Sequence, residues 1–213
     1  MAQDDDLHDV DFLVLGSGIA GLFFALKAAD RGRVAVVTKK RGADSAPNWA
    51  QGGIAAVVSE DDSIEAHVRD TVEVGAGLCR EEVVRFVVER GRETIDALLK
   101  HGVEFDRADG GFELGREGGH TRRRVLHHRD ATGREIERAL LARARVHPNV
   151  TLLENHLAVD LLTSRRAGLA GPDRALGAYV LDAGTGAVER LRARITLLAT
   201  GGAGKVYLYT SNP

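Results

Sequence analysis

Gly16-Ser17-Gly18-Ile19-Ala20-Gly21 has the spacing G-x-G-x-x-G, which suits a main chain built to hold the pyrophosphate of a dinucleotide. The first glycine permits a tight turn, the second lets phosphate approach the backbone, and the third lets the following helix pack close to the strand. Unpaired N–H groups and the positive end of that helix attract the anion. Such a motif is weak alone, and a purely structural glycine turn is the alternative. Here it follows an apolar run at residues 12–15 and opens a helical pattern, which is the context that gives it meaning. An acidic residue about 20 positions on would hold the ribose hydroxyls. That position instead reads Thr38-Lys39-Lys40. A lysine there fits a 2′-phosphate and hence NADP; otherwise Thr38 and backbone meet the ribose, or the lysines are merely solvated.

A second stretch, "NWAQGGIAAV" from Asn48 to Val57, is near-neutral and poor in side chains. Gly52-Gly53 either makes a plain tight turn or lets backbone lie against a flat ligand. Glu117, in "REGGH", offers a carboxylate to a cationic group, or is a solvated loop charge. His120, His127 and His128 lack the spacing of a zinc site and have no cysteine or acidic third ligand arranged with them, so no metal is expected. Arg122 to Arg124 form an anion-attracting loop or a solvated face.

The elements that must position these residues follow from pattern. Residues 12–15 and 34–37 are continuous apolar runs, as in strands buried on both faces. Between them a helix is expected to about Arg31, stopped by Gly32. Asp62 with Glu65 three residues on predicts a capped helix to about Val74. Residues 80–102 show helical periodicity broken near Gly91 and closed by Gly102. Asp109-Gly110 predicts a hairpin. Thr132 with Glu135 opens a helix to about Val146, which Pro148 stops. Strands are expected at 151–153, at 158–163, as a pair around residues 182–186, and at 195–199, with a polar turn at 165–174. Alternating β and α at the start predicts an α/β fold with a doubly wound parallel sheet, and a smaller β-rich arm near the end.

Bulk properties narrow the class. The chain has 213 residues, with 44% apolar and 28% charged side chains and a formal charge of −2, an ordinary globular composition. No basic block favours nucleic acid. Cys79 is the single cysteine, which rules out a disulfide framework. The acidic start lacks the apolar core of a signal peptide, and no apolar run reaches the roughly 20 residues of a membrane span. A cytoplasmic location is expected.

Taken together, "VLGSGIAGL", "NWAQGGIAAV" and "LLATGGAGKVY" resemble the flavoprotein subunits of the succinate dehydrogenase and fumarate reductase family. Adding "REGGHTRRRVLHHRDATGREI" narrows the likeness to the L-aspartate oxidases of that family. The resemblance implies a Rossmann-like FAD-binding domain over residues 1–213, incomplete, with the start of a capping region. It also implies that second strands ending in Ser/Thr-Lys are usual, so that Thr38 and Lys39 belong to the cofactor site. With the fingerprint residues Gly16, Ser17, Gly18, Ile19, Ala20 and Gly21, the implied FAD contacts are Ala46, Pro47, Asn48, Trp49, Ala50, Gln51, Gly52 and Gly53. The strand "LLENHLAVDLL" adds Leu157 and Ala158 near the adenine, and the turn after 199 adds Thr200, Gly201 and Gly202.

In the dehydrogenases a histidine seven residues before the second glycine of the pair bonds covalently to FAD; Ala46 stands there, which implies non-covalent flavin. Pro47 departs from a hydroxyl residue common in relatives. The implied reaction is oxidation of L-aspartate to iminoaspartate, with O2 or fumarate as acceptor and Glu117 facing the substrate ammonium. The product would pass to quinolinate synthesis in NAD production, with quinolinate synthase as a partner. The main substrate-binding arginines would lie beyond Pro213, which leaves this stretch alone inactive. A fumarate reductase or succinate dehydrogenase subunit, and a non-catalytic flavin- or nucleotide-binding module, are the alternatives.

Overall fold

The computed structural model describes residues 9–42 and 45–210. In chain order the elements are β1 (Asp9–Leu15), α1 (Ile19–Ala28), β2 (Val34–Thr38), a 3-10 turn (Ala46–Trp49), β3 (Ile54–Ala55), α2 (Ile64–Val74), α3 (Glu81–Glu89) and α4 (Gly91–Lys100). There follow β4 (Arg107–Ala108), β5 (Gly111–Phe112), β6 (Leu114–Gly115), β7 (Val125–Leu126) and α5 (Thr132–Val146). The chain closes with β8 (Val150–Glu154), β9 (His156–Thr163), β10 (Ala175–Asp182), β11 (Val188–Leu198) and a 3-10 turn (Gly204–Val206). They form two compact units, residues 1–48 with 137–213, and residues 49–136.

The first unit is a six-stranded sheet in the order β8-β2-β1-β11-β10-β9. Its first four strands are parallel, and β10 and β9 continue it antiparallel. Alternation along β1 and β2 sends side chains to opposite faces. Val14, Val34 and Val36 meet Ala25 and Ala28 of α1 and Ala29 just after it. Leu13, Leu15, Ala35 and Val37 pack instead with Ala178, Val180 and Leu191, so the β-rich arm covers the second face. The strand expected at 195–199 and the later partner of the hairpin around 182–186 are one long strand, β11, shared by the parallel sheet and the arm. Helix α1 stops three residues before the expected Arg31, and Arg31 N donates to Ala28 O at 2.8 Å in the turn that follows.

The second unit holds α2 to α4, the small sheet β3-β7-β6 and the hairpin β4-β5. Asp109 and Gly110 have φ of 48° and 83°, the left-handed pair that a two-residue hairpin turn requires. The helix break near Gly91 is present, with Arg90 ending α3 and starting α4.

One expected cap is corrected. Ser63, not Asp62, caps α2, its Oγ accepting from Ala66 N at 3.1 Å. Asp62 is committed elsewhere, to the buried guanidinium of Arg124. At the start of α5, Thr132 Oγ1 accepts from His128 N and the Glu135 carboxylate accepts from Glu104 N, so both side chains tie the helix to preceding segments. The acidic start, residues 1–8, and the final residues 211–213 lie outside the described residues.

Candidate functional site

In the first unit the glycine turn, the end of β2 and the turn after β11 lie at one end of the parallel strands. Parallel register aligns Leu15 with Val37 and with Leu198, and Thr38 with Glu154. The glycine turn, the end of β2, the end of β8 and the turn at 199–202 therefore all leave from the carboxyl ends of the strands, where ligands of open α/β sheets bind.

Close backbone contact explains two of the glycines. Gly16 has φ of +117°, and a Cβ there would stand 2.2 Å from Ala199 O. A Cβ on Gly21 would stand 2.0 Å from Gly16 O. Gly18 differs: apart from its own stretch of backbone, nothing among the described residues lies within 4 Å of its missing Cβ. It is also the N-cap of α1, with no side chain capping the helix. Open space before uncapped amides fits the pyrophosphate of a dinucleotide.

Ser17 and Thr38 are buried and their hydroxyls lie 2.9 Å apart; Ser17 Oγ also donates to Gly42 O at 3.1 Å. Thr38 thus braces the glycine turn, while Lys39 is exposed. Gly42 N donates to Glu154 Oε1 at 2.7 Å, and Arg145 Nη2 lies 3.0 Å from the same oxygen. The Gly42 amide holds the Glu154 carboxyl below its ordinary range; burial opposes this and Arg145 reinforces it. Sequence reasoning missed Glu154. It secures the loop after β2 from a neighbouring strand.

Ala158 packs against the cluster of Leu13, Leu15, Ala35 and Val37 on the arm side, while Leu157 is exposed. Thr200, Gly201 and Gly202 are exposed. Ala46, Pro47 and Asn48 lie in the 3-10 turn; Ile19 and Ala20 open α1.

In the second unit, Trp49, Ala50, Gln51 and Gly52 are exposed. Trp49 is 73% exposed, an unusual state for so large an apolar ring. Gly53 is fixed by packing, since its Cβ would stand 2.2 Å from Leu126 O. Glu117 is exposed, and its Oε1 lies 3.7 Å from where a Cβ on Gly52 would be. Two motifs separated by more than sixty residues in sequence are therefore side by side.

The loop that carries Glu117 joins a buried polar cluster through Thr121. Arg124 is fully buried and pairs with Asp62 through Nε and Nη2 at 2.8 and 2.9 Å, and with Asp70 through Nη1 at 2.7 Å. Its expected place on an anion-attracting or solvated face is corrected: three adjacent arginines have different fates, with Arg122 and Arg123 exposed. Burial opposes the Asp70 charge, but bonds from Thr121 and Arg124 outweigh it and hold the carboxyl below its ordinary range. His67 is pushed down by burial, then by the charges of Arg124 and His120, against the pull of Asp62 and Asp70. Among the described residues no group of three metal-ligating side chains is assembled, and no helix is long and apolar enough to cross a membrane.

The chain is 52% identical to L-aspartate oxidase 1 of Ralstonia nicotianae, over 95% of this chain and 38% of that protein. It is 51% identical to L-aspartate oxidase of Pseudomonas aeruginosa, over 97% of this chain and 39% of that protein. The chain thus spans about two-fifths of the length of these curated relatives. Among solved structures it is similar to the quinol fumarate reductase of E. coli, with TM-score 0.89 and 30% identity over 96% of this chain and 34% of that one. The family model described as FAD binding domain matches residues 11–213. The chain belongs to the FAD binding domain family, and its cofactor is FAD.

Proposed function

We propose that this chain is the cofactor-holding part of an L-aspartate oxidase, in which FAD is held without a covalent bond. The substrate is L-aspartate, the product iminoaspartate, and the electron acceptor O2 or fumarate. Bound FAD supplies the two-electron acceptor for oxidation of the substrate's C–N bond. The protein's own residues position and select. The amides opening α1 at Gly18 hold the pyrophosphate, with Gly16, Ser17, Ile19, Ala20 and Gly21 shaping the turn. Lys39 serves the ribose side, with Thr38 bracing the turn beneath it, Leu157 and Ala158 the adenine, and Thr200, Gly201 and Gly202 the flavin's nucleotide. The segment from Ala46 to Gly53 lines the ring. The enzyme works in the cytoplasm, ahead of a quinolinate synthase in NAD production.

The observation that carries this reading is Glu117 beside Gly52. It puts an exposed carboxylate next to the ribbon assigned to the flavin, where an amino acid's ammonium would need a partner. A charge-assisted hydrogen bond contributes roughly 1.5–3 kcal/mol, so Glu117→Gln is expected to lower kcat/KM for aspartate by one to two orders of magnitude. Fumarate has no ammonium, and its reduction should fall far less. Equal losses on both substrates, at equal flavin content, would remove Glu117 from substrate recognition. The fumarate reductase alternative has support from the fold likeness at 30% identity, against 52% to an oxidase.

A further inference from the structure

Glu117 sits on a loop that closes on itself and lands on one face of α2. Arg124 N donates to Gly115 O at 3.1 Å, so residues 116–123 form a loop between β6 and β7. Within it, His120 N donates to Glu117 O at 3.1 Å. Gly119 has φ of +87°, and its missing Cβ would stand 2.4 Å from Val74 Cγ2. The His120 ring meets the edge of His67, with centroids 6.0 Å apart and planes at 84°. Asp70 Oδ2 then accepts three bonds: from Thr121 N at 2.8 Å, Thr121 Oγ1 at 2.9 Å and Arg124 Nη1 at 2.7 Å. His67, Asp70 and Val74 recur at intervals of three and four, one face of a helix.

These contacts leave the loop little freedom. A carboxylate that is itself exposed owes its placement to the backbone beneath it, and that backbone is fastened four residues on. We infer that Asp70 is a positioning residue for Glu117, aiming its carboxylate at the substrate ammonium through Thr121 and the 117–120 turn. This rests on the proposed reading of Glu117. Arg124 keeps Asp62 as a bidentate partner when Asp70 is neutralised, so an amide at position 70 loosens the loop without stranding the guanidinium.

The test compares Asp70→Asn, Thr121→Val, Glu117→Gln and the double variant Asp70→Asn/Glu117→Gln in the flavin-loaded full-length protein. Flavin content and kcat/KM are measured for aspartate oxidation and fumarate reduction. Asp70→Asn should lower the aspartate value about tenfold and Thr121→Val about threefold, with fumarate changed by less than about twofold. The double variant should be no slower on aspartate than Glu117→Gln alone, because residues acting through one another are not additive. Equal losses on both substrates for Asp70→Asn, or multiplied losses in the double variant, overturn the positioning role while leaving Glu117's intact. A non-selective Glu117→Gln overturns both. If Asp70→Asn fails to load flavin, Thr121→Val decides, and unchanged aspartate kinetics in that variant overturn the inference.

Discussion

The three fingerprint glycines answer to different constraints, and substitution separates them. Gly18 faces space empty of described protein atoms, with φ of −69° that any residue adopts. Gly18→Val is therefore expected to leave the apoprotein's melting temperature near that of the parent while abolishing flavin retention. Gly21→Ala puts a methyl against Gly16 O, and overpacking of this kind costs about 1–3 kcal/mol. It should lower apoprotein stability, measured by denaturant unfolding, whether or not flavin is added. Equal stability losses in both variants would mean that the space before Gly18 is structural. The motif was legible in the sequence because its parts are contiguous. Glu154 was not: the Gly42 amide it accepts lies 112 positions away. Nor could spacing tell Arg124 from Arg122 and Arg123, because only tertiary burial distinguishes them.

At the scale of elements, α2 shows what propensity reads and what it overlooks. The helix and its length were legible from Asp62 to Val74, but Asp62 and Ser63 are both good caps, and the buried arginine claims the aspartate. Removing that arginine should be costly. Arg124→Met leaves two buried carboxylates without their cationic partner, with an expected loss of about 3–5 kcal/mol in unfolding free energy; a loss below ~1 kcal/mol would show that water reaches the cluster.

The helix also carries a pH dependence. His67 has a folded pKa depressed below 6.5. The unfolded chain then binds the proton first, so stability is full above about 6.5 and falls as pH drops below it, by up to about 1.4 kcal/mol per pH unit. Arg124, His120, Asp62 and Asp70 are the charged groups around it. His67→Gln should flatten the decline in melting temperature between pH 6.5 and 5.5, and an unchanged slope would assign the decline to other groups.

Across the whole molecule, the parallel core was legible because β1 and β2 are short uninterrupted apolar runs, which few other structures accept. The shared strand β11 was harder to see. Its polar positions, such as Arg190, Arg192 and Arg194, break the apolar pattern, and only pairing with β1 on one side and β10 on the other joins its halves. The dinucleotide fold of the first unit belongs to an FAD protein, and the proposed substrate is an amino acid. The most direct measurement is anaerobic mixing of the flavin-loaded full-length protein with L-aspartate or with succinate, following flavin absorbance. L-aspartate should bleach the flavin, and succinate should not. Bleaching by succinate with no response to L-aspartate would contradict it.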